Sequence, residues 1–249
     1  MLKEIDMNSL IETAKKAGEA VLEIYESDFK VNYKEDDSPL TKADMRSNEI
    51  ICSFLEKKYP SIPIISEENR EIPYEIRKNW EFLWLIDPLD GTKEFVNRNG
   101  DFTINIALIK NREPVLGIVY APVSKELYYA KKGEGAFKNE TPIPIPQLRD
   151  TFKVVVSRSH LNSETQKLIQ ELNSDKPVEI VSRGSSLKFC ILAEGSADFY
   201  PRLGKTMEWD TAAGDAICRE CGRKVLRYDD KKPLSYNKES LVNPYFIAY

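Results

Sequence analysis

The segment Trp84-Leu85-Ile86-Asp87-Pro88-Leu89-Asp90-Gly91-Thr92-Lys93-Glu94-Phe95 sets two carboxylates three residues apart at the end of an apolar run, followed by a glycine and a hydroxyl. Hard divalent cations take oxygen ligands, carboxylates and backbone carbonyls together. Asp87, the Leu89 carbonyl and Asp90 can offer such oxygens to one small volume. Gly91 has no Cβ, so its backbone can approach an anion closely. The same residues also suit a turn, since Asp, Pro and Gly each favour turns for local reasons. Two further segments repeat the pattern. Ile62-Pro63-Ile64-Ile65-Ser66-Glu67-Glu68 is an apolar strand ending in acid, with Glu67 the candidate and Glu68 reading as the start of a solvated loop. In Glu208-Trp209-Asp210-Thr211-Ala212-Ala213-Gly214-Asp215-Ala216, the small residues predict a tightly packed helix with Asp210 at or near its N-cap. A cap accounts for Asp210 alone, but not for the recurrence. Crowded carboxylates repel unless a cation lies between them, and three acid-bearing element ends are what a multi-metal phosphate site needs.

The elements that must position these groups are readable from periodicity. Leu10, Ile11, Ala14, Ala17, Val21, Leu22 and Tyr25 recur at helical spacing. A polar loop runs from Lys34 to Leu40, and Thr41-Lys42-Ala43-Asp44 leads into a second helix marked by Ile50, Ile51, Phe54 and Leu55. Strands are predicted at 62–65, 82–86, 102–110, 114–121 and 126–130, with Pro88 ending the ladder after Ile86 and Gly117 as a candidate bulge. Lys132-Gly133-Glu134-Gly135 is a turn. Thr141 to Pro146 reads as a proline-stiffened connection between an N-terminal lobe (1–146), which carries most of the acids, and a C-terminal α/β lobe (147–249) with Asp210. In that second lobe strand and helix alternate: Val154–Val156, Ser163–Leu172, Val178–Val181, Ser185–Glu194, Ala197–Tyr200 and the Asp210 helix.

A chain of 249 residues can bury a substantial core, and 41% hydrophobic with 31% charged residues is ordinary for a globular protein. A net charge of −4 gives no electrostatic case for nucleic-acid polymers or membranes. No stretch has the length of a membrane span and no signal-peptide pattern opens the sequence, so a cytoplasmic location is expected. Of the four cysteines (Cys52, Cys190, Cys218 and Cys221), the last two form a CxxC without a second pair at zinc-ribbon spacing. Buried structural thiols are the expected reading, ahead of zinc or redox chemistry.

The segments SEE (66–68), WLIDPLDGTKEF (84–95) and EWDTAAGDA (208–216) resemble the three signatures of the inositol monophosphatase superfamily of metal-dependent, lithium-sensitive phosphatases. Lys93-Glu94, the run from Arg98 to Leu108, Val156-Ser157-Arg158-Ser159-His160 and Gly184-Ser185-Ser186-Leu187-Lys188-Phe189-Cys190 resemble its 3′(2′),5′-bisphosphate nucleotidase branch. Inositol phosphatases more often carry Asn where this chain has Glu94. The similarity is collinear from the first helix to the last residues.

The resemblance implies a layered α-β-α-β-α fold, α/β (α+β) in class, acting as one integrated catalytic unit. It implies Mg²⁺-dependent hydrolysis of the 3′-phosphate of adenosine 3′,5′-bisphosphate to AMP and phosphate in sulfur assimilation, with the sulfated nucleotide as a further candidate substrate. Two or three Mg²⁺ ions per site would be held by Glu67, Asp87, the Leu89 carbonyl, Asp90 and Asp210. Water activated by the metal attacks, with Thr92 and Asp44 as a base relay. The scissile phosphate would meet Glu67, Leu89, Asp90, Gly91, Thr92 and Asp210, while Ser157, His160, Gly184 and Lys188 grip the rest of the substrate. Each has a structural alternative: a helix cap for Asp44, a turn hydroxyl for Thr92, a structural hydrogen bond for His160, and an exposed helix position for Lys188. Arg158, Arg183 and Arg202 are competing phosphate contacts. The expected partner is a small phosphorylated nucleotide, and the expected state a monomer or homodimer. The alternatives are an inositol monophosphatase or a fructose-1,6-bisphosphatase-like sugar phosphatase, and, at greater distance, a non-catalytic nucleotide sensor. A sensor should have lost at least one of the metal ligands, Thr92 or Asp44, and none is missing.

Overall fold

The computed structural model describes residues 2–28, 31–33, 39–69, 71–145, 147–159 and 161–249. Helix α1 (Met7–Tyr25) is capped by the Asp6 carboxylate, which accepts the Ser9 N–H. Strands β1 (Val31–Tyr33) and β2 (Pro39–Thr41) pair antiparallel and feed α2 (Lys42–Lys58). Then come β3 (Ile64–Ser66), α3 (Tyr74–Arg77), β4 (Phe82–Asp90), α4 (Thr92–Val96), β5 (Thr103–Lys110), β6 (Glu113–Ala121), β7 (Glu126–Lys131), β8 (Gly135–Lys138) and β9 (Thr141–Ile143). Strands β3 to β9 form one seven-stranded sheet in sequence order, parallel only at β3–β4.

The second stretch supplies β10 (Phe152–Ser157), α5 (Ser163–Gln170), β11 (Val178–Arg183), α6 (Leu187–Ala193), β12 (Tyr200–Arg202), α7 (Glu208–Glu220), β13 (Val225–Arg227) and β14 (Phe246–Ala248). A parallel pair β10–β11 and an antiparallel trio β12–β14–β13 are joined by a Val154–Phe199 bridge.

Both faces of the large sheet are covered, which is why its strands read as apolar runs rather than alternating ones. Leu10, Ala14, Val21, Ile51 and Leu55 of α1 and α2 pack on Trp84, Ile86, Ile104, Ile106 and Ile118. Leu83, Leu85, Ala107, Ile109 and Val119 face the other way, onto Phe189, Cys190, Ala212, Ala213 and Ile217 of α6 and α7. That helix layer also carries Val155, Tyr200, Val225 and Phe246 of the second sheet, whose outer face holds Val154, Val156 and Phe199 against Ile169 of α5. The layers are therefore helix, sheet, helix, sheet, helix, as the resemblance implied.

Several local expectations need correction. Pro88 does not end the ladder: β4 continues to Asp90. Asp87 pairs with Asn105 and Asp90 with Thr103, so Pro88 and Leu89 stand opposite Ile104 alone. That bulge absorbs the proline's missing donor and turns the strand end. Gly117 is not a bulge; the irregularity in β5–β6 lies between Leu108 and Ile109. A Cβ on Gly117 would stand 2.3 Å from the Ala213 carbonyl oxygen, so this glycine admits α7 onto the sheet. The connection at Thr141 begins as an edge strand, and Pro146 lies outside the described residues. The helix expected from Ser185 starts at Leu187, because Ser185 sits at φ +42°. The strand expected at 197–200 is Tyr200–Arg202. Part of the polar loop, 34–38, lies outside the described residues.

Candidate active site

A cavity of about 270 Å³ lies between the end of β4 and the second stretch of chain. Glu67, Asp87, Leu89, Asp90, Gly91, Thr92, Ser157, Lys188 and Asp210 all line it. Of the other expected residues, Asp44 stands behind Thr92, Gly184 packs beneath the wall, and His160 lies outside the described residues. Glu68 is half-buried and does not line the cavity.

Each acid is carried on a defined element end. Asp87 precedes the β4 bulge and accepts the Leu89 N–H at 3.1 Å. Asp90 closes β4; its Oδ2 accepts from Ser186 Oγ (2.8 Å) and Asn105 Nδ2 (3.2 Å). Asp210 sits in the first turn of α7, where its Oδ2 accepts the Met207 N–H at 2.8 Å. Asp210 is therefore near the N-cap rather than at it: Met207 is the cap residue, and Asp210, the third residue of the helix, accepts its N–H. Ser186 lies near the Asp210 carbonyl at 2.9 Å as well as Asp90, which ties the ends of β4 and α7 together. Asn105 and Ser186 were not identified from sequence. Each lies in a run that carries the family resemblance, but nothing local assigns it a role, and Ser186 stands 81 residues from Asn105 and 96 from Asp90.

Burial pushes Asp87 well above the usual carboxylate range, and the charges of Glu67, Asp90 and Asp210 push it further. Asp210 is raised in the same way, by burial first and then by Asp90 and Glu67. Asp90 is raised by burial against the opposing pull of Lys188, Ser186 and Asn105. Among the described residues, no lysine or arginine forms an ion pair with Asp87, Asp90 or Asp210. An all-oxygen donor set of mutually repelling carboxylates fits a hard divalent cation. These acids face a common space without closing on one point. Among the described residues, no three His, Cys, Asp or Glu side chains form a ready-made cluster for a single ion.

The Thr92–Asp44 pair is formed, and Asp44 is also a helix cap. Its Oδ2 accepts from the Thr41 N–H and Thr41 Oγ1, both at 2.7 Å, completing a capping box at the start of α2. Its Oδ1 accepts from Thr92 Oγ1 at 3.3 Å, and the same hydroxyl lies 3.3 Å from the Leu89 carbonyl. Burial raises the Asp44 carboxyl above its ordinary value, against the Thr41 hydrogen bonds.

The opposite wall is cationic. Lys188 is buried beside the Tyr200 ring, and its ammonium donates to the Ser185 carbonyl. Burial lowers it to about 8. It is not the exposed helix lysine of the alternative reading. Arg202 is buried with Nη2 on the Lys205 carbonyl, and its Nε, like Ser185 Oγ, is buried without a partner. Ser185, which lies in the run 184–190, and Tyr200, Lys205 and Thr206 also line this wall, though none of them was given a role of its own from sequence. Arg158 and Arg183 do not line the cavity; both pair with Asp101.

The model of the inositol monophosphatase family matches residues 4–245. This chain belongs to the inositol monophosphatase family. The 3′(2′),5′-bisphosphate nucleotidase CysQ of Salmonella typhimurium is 45% identical over 246 residues, covering 96% of this chain and 98% of the relative. The crystal structure of CysQ from Bacteroides thetaiotaomicron is 46% identical with a TM-score of 0.87, covering 96% of this chain and 95% of that one. An IMPase/NADP phosphatase crystallised with Mg²⁺ and phosphate shares the fold at 22% identity, with a TM-score of 0.81 over 99% of this chain and 90% of that one. No helix among the described residues is long and apolar enough to cross a membrane.

Proposed function

We propose that this enzyme is a Mg²⁺-dependent 3′(2′),5′-bisphosphate nucleotidase that releases the 3′-phosphate of adenosine 3′,5′-bisphosphate. The observation that carries the reading is a single cavity with carboxylates on one wall and a buried lysine and arginine on the other. A substrate with two phosphates separated by a sugar needs both.

Glu67, Asp87, the Leu89 carbonyl, Asp90 and Asp210 would hold the Mg²⁺. Bound there, the ion supplies Lewis-acid activation of water and offsets the phosphate charge, a large part of a barrier lowering on the order of 20 kcal/mol. Thr92 Oγ1 orients the attacking water and passes a proton to Asp44 Oδ1, whose raised basicity suits it to accept one. The N–H groups of Gly91 and Thr92 face the scissile phosphate. Lys188, Arg202 Nε and Ser185 Oγ take the second phosphate, and Ser157 meets the sugar. Residues 1–146 and 147–249 act as one catalytic unit, because the helices of the second stretch pack on the sheet of the first. The thiols at Cys52, Cys190, Cys218 and Cys221 are free, which suits a cytoplasmic setting.

Hydrolysis rates on adenosine 3′,5′-bisphosphate and inositol 1-phosphate, measured side by side with Mg²⁺, test the assignment. Strong preference for the nucleotide is expected. Preference for inositol phosphate would replace the reading with the sugar-phosphatase one.

A further inference from the structure

The acids of the metal wall are not the only ones buried at this end of the molecule. Asp101 lies in the link between α4 and β5, 7% exposed, and does not line the cavity. Its Oδ2 accepts the Gly184 N–H at 2.9 Å and pairs with Arg158 Nη2 at 2.8 Å; its Oδ1 is 3.5 Å from Arg183 Nη1. These partners sit at the carboxyl ends of β10 and β11, which run parallel in register with Ser157 opposite Arg183. A Cβ on Gly184 would stand 2.5 Å from the Asp101 carbonyl oxygen and 2.7 Å from Glu94 Cγ, so only glycine permits the docking. Beside it, Ser159 Oγ donates to the buried Glu94 carboxylate. Two acids near the DPLDGT loop thus grip the ends of both strands.

What hangs from those ends is the second-phosphate wall. Ser157 immediately precedes Arg158. Ser185 follows Gly184 at φ +42°, a conformation that a residue with a Cβ holds only when its surroundings impose it. The Ser185 carbonyl in turn orients the Lys188 ammonium. We infer that Asp101 is a positioning residue for substrate recognition, fixing Ser157, Ser185 and Lys188 relative to the metal wall through the Gly184 N–H and two guanidinium groups. This rests on the nucleotidase reading for the ligand that it helps to bind. Asp101 sets the spacing between the two phosphate subsites without touching the substrate.

Asp101→Asn keeps the shape and removes the charge. KM for adenosine 3′,5′-bisphosphate is expected to rise about tenfold, as for loss of one charge-assisted contact, with kcat within about threefold of wild type. Trypsin should cut faster after Arg158 and Arg183, whose side chains Asp101 restrains. Arg158→Met, which removes the nearer guanidinium, should also raise KM and leave kcat in place, and carries the test if Asp101→Asn does not fold. A KM unchanged in the folded variant, or a fall in kcat alone, overturns the inference. If wild-type enzyme fails on this substrate, the nucleotidase reading falls, and unaltered tryptic cleavage in Asp101→Asn would then overturn the positioning role separately.

Discussion

Asp44→Asn separates the cap that the Asp44 carboxylate forms from the relay proposed for it. As a cap, Asp44 accepts two hydrogen bonds at 2.7 Å from Thr41 through Oδ2; as the terminus of the relay, it accepts from Thr92 Oγ1 through Oδ1. An asparagine that keeps its oxygen on the Thr41 side presents its NH₂ to Thr92, whose hydroxyl can then accept from it and donate to the Leu89 carbonyl but has nothing at position 44 to take a proton. The cap is then mostly retained, at a cost of about 1 kcal/mol, a lowering of Tm by about 2–4 °C for a chain of this size. The proton acceptor is lost outright, and removing a positioned general base lowers kcat by about 10²–10⁴-fold. Thr92→Val should give a fall of similar size and Thr92→Ser little change, because serine keeps the hydroxyl. Steady-state phosphate release at saturating substrate and Mg²⁺, with a melting curve on the same sample, reads both effects. An Asp44→Asn protein with kcat within threefold of wild type would refute the relay. A loss of activity that tracks unfolding would reduce Asp44 to its cap.

Lys188, lowered to about 8 by burial, carries its charge below that pH and loses it above, so KM for the bisphosphate should climb as pH rises through 8, and Lys188→Met should abolish that climb. Gly117→Ala forces a methyl to 2.3 Å from the Ala213 carbonyl oxygen and should destabilise by about 1–3 kcal/mol, read by chemical denaturation; an unchanged midpoint would contradict the close approach of α7. Ca²⁺ should inhibit in competition with Mg²⁺, since its larger radius and looser coordination misplace the reacting groups; equal support of turnover by the two ions would contradict it.

The acids were legible because each stands where an element ends or begins beside an apolar or small-residue run, the local pattern from which a metal site is proposed. The helices at 7–25 and 42–58 and the hairpin strands were legible for the same reason, as periodic burial is written along the chain. What escaped was set by partners far away. Pro88 reads as a strand end, and only the Asp87–Asn105 and Asp90–Thr103 pairings reveal a bulge within a continuing ladder. Gly117 has the local look of a bulge and owes its place to a helix some hundred residues later. The hubs Asn105, Ser186 and Asp101 lie in runs that resemble the family, yet nothing local reveals their partners, and β13 and β14 are short pairings between distant segments. Sequence spacing names the candidate chemical groups, while the residues that hold them in place emerge only from the fold.

The central claim is that Glu67, Asp87, Asp90 and Asp210 gather divalent cations to hydrolyse a bisphosphate nucleotide. Chelator-treated protein, assayed for phosphate release from adenosine 3′,5′-bisphosphate while Mg²⁺ is titrated back, tests it most directly. Negligible release without Mg²⁺ and a saturable rise on its return are predicted; hydrolysis at an undiminished rate in excess chelator would contradict the account.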